Sequence, residues 1–135
     1  TFSHFLAGKQ TAGGYTRMIS SENNNRLMTF NRGDGNAFYN DRPVVNYTNS
    51  VPGANFALGA MIVDTESRGY INGNDVTDNA NRTGNTWGPV AIGAGGPYSN
   101  EAPTMRFSEL ITYGSNQTEN RKAIESRING YYGIY

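Results

Sequence analysis

The chain has no cysteine, which excludes disulfides, zinc-thiolate sites and thiol nucleophiles, so any role outside the cell would rest on packing alone. It has a single histidine, His4, so a Ser-His-Asp triad or a multi-histidine metal site would have to be built around one ring near the start. Lysine is scarce too, with only Lys9 and Lys122 present, and 11 basic residues are cancelled by 11 acidic ones. No broad positive field exists to hold a phosphate backbone, which argues against nucleic-acid binding. No apolar run approaches the roughly 18–20 residues of a membrane span, so membrane insertion is not expected, and no charged-then-apolar signal segment opens the chain. A start at Thr1 without Met points to processing or to a longer chain of which these residues form the C-terminal part.

What is abundant is polar and turn-forming. Asn makes up about one residue in eight, Gly numbers 17 and Tyr 9, far above ordinary usage for Asn. A turn-rich β domain needs Asn and Gly wherever φ is positive, so long polar loops are expected. The length of 135 residues suits one domain spanning 1–135, large enough for a core and too small to split.

The strand pattern is clearest in the second half. Phe56-Ala-Leu-Gly-Ala-Met-Ile-Val63 is an unbroken apolar run, followed by the polar turn Asp64-Thr-Glu-Ser67 and a returning strand, Arg68-Gly-Tyr-Ile71. Asn72-Gly73 accepts positive φ at both central positions of a type I′ turn, and residues 74–77 supply a third strand. Residues 1–7, 15–20, 25–30, 37–40 and 89–93 are further short strands separated by turn signals such as Gly13-Gly14 and Gly33-Asp-Gly35. This spacing predicts an all-β, two-sheet antiparallel jelly-roll sandwich.

The last third departs from that pattern. A strand, Met105-Arg-Phe-Ser-Glu-Leu-Ile-Thr-Tyr113, leads into one C-terminal α-helix whose first turn Asn116 would cap, with Glu119 reaching back as in a capping box. Ala123, Ile124, Ile128 and Tyr131 or Tyr132 recur at helical spacing as a buried stripe, leaving Glu119, Arg121, Lys122, Glu125 and Arg127 in water. Gly130 or Gly133 supplies the left-handed stop.

The order of these pieces resembles the concanavalin A-like lectin/glucanase superfamily, in particular the laminin-G-like modules of microbial and phage proteins. The residues carrying the likeness are the long apolar strand, the acidic turn, the strand ending Tyr70-Ile-Asn-Gly73, the strand ending Ala91-Ile-Gly93, the run Phe107, Glu109, Leu110, Ile111 and Tyr113, and the helix closing on Tyr132-Gly-Ile134. It covers roughly residues 56–135 and fits more loosely upstream. The resemblance implies a two-sheet jelly roll, usually non-catalytic, that binds glycans or proteins through rim loops or a concave sheet face. The wealth of Asn, Gly, Ser, Thr and Tyr with little Lys is similar to that of phage fibres and other exposed β-rich adhesins, so an exposed setting is expected, extracellular, on a cell surface or on a virion.

Catalysis on this fold would need two carboxylates on one strand face, about 5 Å apart in a retaining glycosidase. The only acidic i, i+2 pair suited to that is Asp64 and Glu66, in a predicted exposed turn, so no enzyme is expected and no catalytic residue is assigned. Sugar binding asks less: an aromatic face for the ring, with amides and carboxylates for the hydroxyls. Trp87, Tyr98, Tyr39 and Tyr47 stand in or beside predicted loops next to Asn85, Asn100, Asn40 and Asn46, and these form the candidate glycan site. The alternative for Trp87 is a plug at the sandwich end. No cofactor is required, but Asp34, Asp75 and Asp78 sit in oxygen-rich loops of the kind calcium prefers, without EF-hand spacing. Arg32-Gly33-Asp34 matches the integrin tripeptide, although Asp34-Gly35 makes a good turn by itself. The expected partner is therefore a cell-surface glycan. The alternative is a virion or matrix protein contacted by a structural domain such as a capsid decoration or a head or tail fibre. An oligomer is compatible with either.

Overall fold

The run at 56–63 has no polar alternation because its strand is covered on both sides. All seven residues of Ala57–Val63 are buried, with Ala57, Met61 and Val63 in the cluster between two sheets and Leu58, Ala60 and Ile62 in a second cluster beneath a helix. A central strand with two covered faces reads as continuously apolar, even in an antiparallel sheet.

The computed structural model describes residues 1–11, 16–22, 24–30, 36–41, 43–46, 55–80, 87–93 and 100–135. In chain order the strands are β1 (Phe2–Gln10), β2 (Ile19–Ser21), β3 (Arg26–Met28), β4 (Asn36–Asn40), β5 (Pro43–Asn46), β6 (Ala57–Val63), β7 (Ser67–Ile71), β8 (Asn74–Asp75), β9 (Val90–Ile92) and β10 (Met105–Tyr113), followed by helix α1 (Arg121–Tyr132). They form two antiparallel five-stranded sheets, ordered β10-β1-β6-β7-β8 and β5-β4-β3-β2-β9. The result is the expected two-sheet sandwich with one C-terminal helix. Among the described residues no helix is long and apolar enough to cross a membrane.

The β6-β7-β8 meander forms as the sequence predicts. Asn72 and Gly73 turn the last hairpin with φ of 49° and 80°, and Tyr70 and Ile71 pair with Asp75 and Asn74 across it. The third strand ends early because the Asp75 carboxylate accepts a hydrogen bond from the Thr77 amide at 3.0 Å, a local bond that competes with the ladder. Strand β1 runs longer than expected: beyond the bulge at Ala7/Gly8 it continues to pair with the start of β10. β5 was not anticipated; its first residue, Pro43, opens an edge strand, where a missing donor costs nothing.

The sheets approach closely where β6 and β7 carry glycine. A Cβ on Gly59 would lie 2.7 Å from the Phe30 ring, and one on Gly69 would lie 2.1 Å from Val45 Cγ2 and 2.8 Å from the Phe38 ring. These aromatic rings, with Leu6, Met28 and Met61, fill the inter-sheet core.

The helix differs from its sequence reading at both its start and its buried face. It begins at Arg121 behind Asn120, whose side chain makes no capping bond. Asn116 instead accepts from the Thr118 amide and donates to Asp64 Oδ2 at 2.9 Å, and Glu119 is exposed. Arg121, Glu125 and Ile128 are the buried helical residues, whereas Ala123 is exposed and Tyr131 is 83% exposed. The burial of charge is accommodated by pairing: Arg121 donates to Glu125 one turn on and to the Gly73 carbonyl at 3.3 Å, with its guanidinium 3.9 Å from the Tyr70 ring centroid. Burial raises the Glu125 carboxyl, and the Arg121 charge opposes that rise only in part. Gly133 ends the helix in the left-handed conformation, as predicted.

Candidate functional site

Along β10 the residues Glu109, Ile111 and Tyr113 alternate onto the outer face of the first sheet. Ile111 pairs with Phe5 and Glu109 with Ala7, both members of the cluster beneath α1. The helix runs beside them and presents Ile124, Arg127, Ile128, Tyr131 and Tyr132, spaced three and four apart so that they share one side. The two rows enclose a groove of about 410 Å3.

Local bonds hold its walls. Ile128 and Ile124 pack on the sheet, and Asn129 Oδ1 accepts from the amides of both Ile134 and Tyr135 at 2.8 Å, clamping the chain end under the helix. Tyr113 is fixed edge-on against Phe5, with ring centroids 6.0 Å apart. Tyr131 and Tyr132 form a second edge-on pair at 4.8 Å. Desolvation and then the nearby Glu109 charge raise the Tyr132 phenol above its ordinary value, so it stays protonated and able to donate.

Glu109 and Arg127 bring opposite charges to the groove but form no ion pair with each other or with any other described residue. The groove therefore offers three tyrosines, a free carboxylate and a free guanidinium around an apolar floor. That donor set can stack a ring and bond its hydroxyls. Its volume falls in the usual range for small-molecule sites, roughly 300–1,000 Å3.

None of the residues proposed from sequence lines this groove. Trp87 is 4% exposed and packs against Phe2 and His4, with centroids 5.5 and 4.4 Å away. It is part of the inter-sheet core, as the plug alternative had it, and leaves almost no surface for a ligand. Tyr39 is half-buried in β4, opposite Leu27 and Pro43. Its neighbour Asn40 is buried and donates to Ser67 Oγ at 3.2 Å. Asn100 is exposed, beside Glu101, which pairs with the buried Arg17 at 2.6 Å. Tyr98, Tyr47, Asn85 and Asp34 lie outside the described residues.

Asp75 and Asp78 are both exposed. Partial burial would raise Asp75, but hydrogen bonds from Thr77 and the Arg68 charge outweigh it and hold the carboxyl below its usual value. A cation there would have to displace Arg68. Among the described residues no three His, Asp or Glu gather as a metal set. Asp64 and Glu66 fall in the exposed β6–β7 turn, as predicted. The Asp64 oxygens accept from Asn116 and Thr1, which lowers its carboxyl, while Glu66 pairs with Arg68 at 2.8 Å. His4 is buried, shares a 3.0 Å hydrogen bond between Nδ1 and Thr112 Oγ1, and is pushed down to about 4 by desolvation.

The groove residues left a partial signal in the sequence. Glu109, Ile111 and Tyr113 alternate visibly, and Tyr131-Tyr132 is a conspicuous pair, but one of those rings was assigned to the buried stripe. Comparison with protein-family models, with curated proteins and with solved structures gave no match.

Proposed function

We propose that this protein is a non-catalytic recognition module that binds a short glycan in the groove between β10 and α1, acting at a cell or particle surface. The observation carrying this reading is the groove itself: Tyr131, 83% exposed, stands beside Tyr113, Tyr132 and two unpaired charges in a cleft of about 410 Å3. Aromatic faces take the apolar side of a sugar ring, and a carboxylate and a guanidinium take its hydroxyls. The sandwich with a closing helix is also the architecture that the likeness to concanavalin A-like modules implies. A non-catalytic role is supported by the fate of the acidic turn pair, whose oxygens are engaged by Thr1, Asn116 and Arg68.

A second reading, a structural domain making protein contacts in a virion or matrix, rests on the same exposed rings, which a protein partner could also cover. Glycan-array binding by the wild type and Tyr131→Ala separates the two. Saturable binding to a glycan, lost in Tyr131→Ala, supports the proposal. A folded wild type that binds no glycan, or a variant that binds as well as wild type, would overturn it.

A further inference from the structure

Where a carboxylate of this chain is withdrawn from water, an arginine is usually beside it. Glu101 meets Arg17 at 2.6 Å and Glu125 meets Arg121, while the more exposed Asp41, Glu66 and Asp75 meet Arg26 and Arg68. Glu22 and Glu119 stand exposed to water. Glu109 fits neither pattern. It is half-buried, it lines the groove, and it forms no ion pair with any described residue.

Its surroundings are aromatic. The last turn of α1 reaches β10 beside it, where the Tyr132 hydroxyl lies 3.5 Å from the carbonyl oxygen of Ser108. Tyr131 meets Tyr132 edge-on, with centroids 4.8 Å apart, and is exposed. The Glu109 charge reaches this pair: after desolvation it is the next cause raising the Tyr132 phenol, and no cation opposes the rise. Arg127 stands one turn before Tyr131, about 6 Å back along the helix axis. The end of the groove formed by Glu109, Tyr131 and Tyr132 is therefore both negative and aromatic.

Building on the glycan reading above, the geometry points to an amino sugar as the ligand, one whose amine is free and protonated, as in a glucosamine oligomer. Glu109 accepts a hydrogen bond from the ammonium, and the faces of Tyr131 and Tyr132 add cation-π attraction. Charge-assisted hydrogen bonds are about twice as strong as neutral ones. A carboxylate with no cation of its own therefore distinguishes a protonated amine from an acetamide more sharply than it distinguishes one hydroxyl from another. Arg127 donates to hydroxyl oxygens of the neighbouring sugar. Glu109 is thus a specificity-determining residue, and Tyr113 and the apolar floor contribute binding that is indifferent to charge.

The test compares a glucosamine trimer with its fully N-acetylated counterpart by titration calorimetry at about pH 6.5, where a sugar amine is charged. Wild type should bind the free-amine trimer about tenfold or more tightly, the size expected for one charge-assisted contact, and the preference should shrink at high salt. Glu109→Gln should abolish the preference and retain binding to the acetylated trimer, which also reports that the variant is folded. Arg127→Gln should keep the preference. Equal affinity for the two trimers, tighter binding of the acetylated one, or binding of neither while another glycan on the array is bound would overturn this inference and leave the glycan reading standing. A preference that survives Glu109→Gln, or that is lost in Arg127→Gln, would overturn the role given to Glu109. Absence of binding to either trimer, and to any glycan on the array, would overturn both readings.

Discussion

Mild acid should destabilise this protein through His4. The ring is buried against Trp87 and Phe2, its Nε2 has no partner, and desolvation lowers its pKa from 6.5 to about 4. An unfolded chain therefore takes up a proton near pH 6.5, whereas the native protein resists until about pH 4. Stability from this group is complete above pH 6.5 and drains away as the pH falls toward 4, because across that window the unfolded state binds more protons. Integrated over the window, the loss is about 3 kcal/mol, a large share of the 5–15 kcal/mol typical of a domain.

Glu125 acts in the opposite direction: burial raises its carboxyl above 4.5, so the native state gains protons just above that pH. Asp64 and Asp75, both lowered, give up stability only as the pH falls below the ordinary carboxylate range. The His4 contribution is thus best read as a difference between wild type and His4→Gln, which keeps a hydrogen-bonding group near Thr112 and does not titrate. Urea unfolding from pH 8 to pH 4, followed by the fluorescence of the adjacent Trp87, measures both. The wild-type curve should fall away from the variant's by about 3 kcal/mol between neutrality and pH 4. Parallel curves, or an NMR titration midpoint for His4 near 6.5, would refute the reasoning.

Two further predictions concern the core and the groove. Gly69→Ala forces a Cβ into Val45 and Phe38 and should cost about 1–3 kcal/mol by overpacking, read as a lower urea midpoint with an unchanged slope; an unchanged midpoint would mean that the sheets separate more easily than their packing suggests. Trp87→Ala should cost about 3–5 kcal/mol because it empties a core position, whereas Tyr131→Ala should change stability by less than about 0.5 kcal/mol; a large stability loss in Tyr131→Ala would show that the exposed ring is structural.

Several elements were legible because their causes are local. The turn at Asn72-Gly73 depends on which residues tolerate positive φ, and the stop at Gly133 on the same property. The bounds of β10 coincide with its apolar and β-branched run. The opening of α1 was misread because Asn116, a good cap in isolation, finds a better partner in Asp64, 52 residues away in the chain. Periodicity identified residues that share a side of the helix but could not say which side meets the sheet. Arg121 and Glu125 neutralise each other at i, i+4 and rest on Tyr70, so the buried stripe turned toward them and left Tyr131 outside.

By itself, then, the sequence determined the all-β class, the β6-β7-β8 meander, the closing helix and the absence of thiol chemistry, all of which follow from composition, φ preferences and nearest-neighbour spacing. Only the tertiary structure decided that Trp87 points inward and that a groove exists. The groove joins a row of β10 to a row of α1, and its shape depends on where Ile124, Ile128 and Ile134 settle on a sheet whose strands come from both ends of the chain. Pairings such as Phe5 with Ile111 span the length of the molecule, and no local preference encodes which distant surfaces will meet.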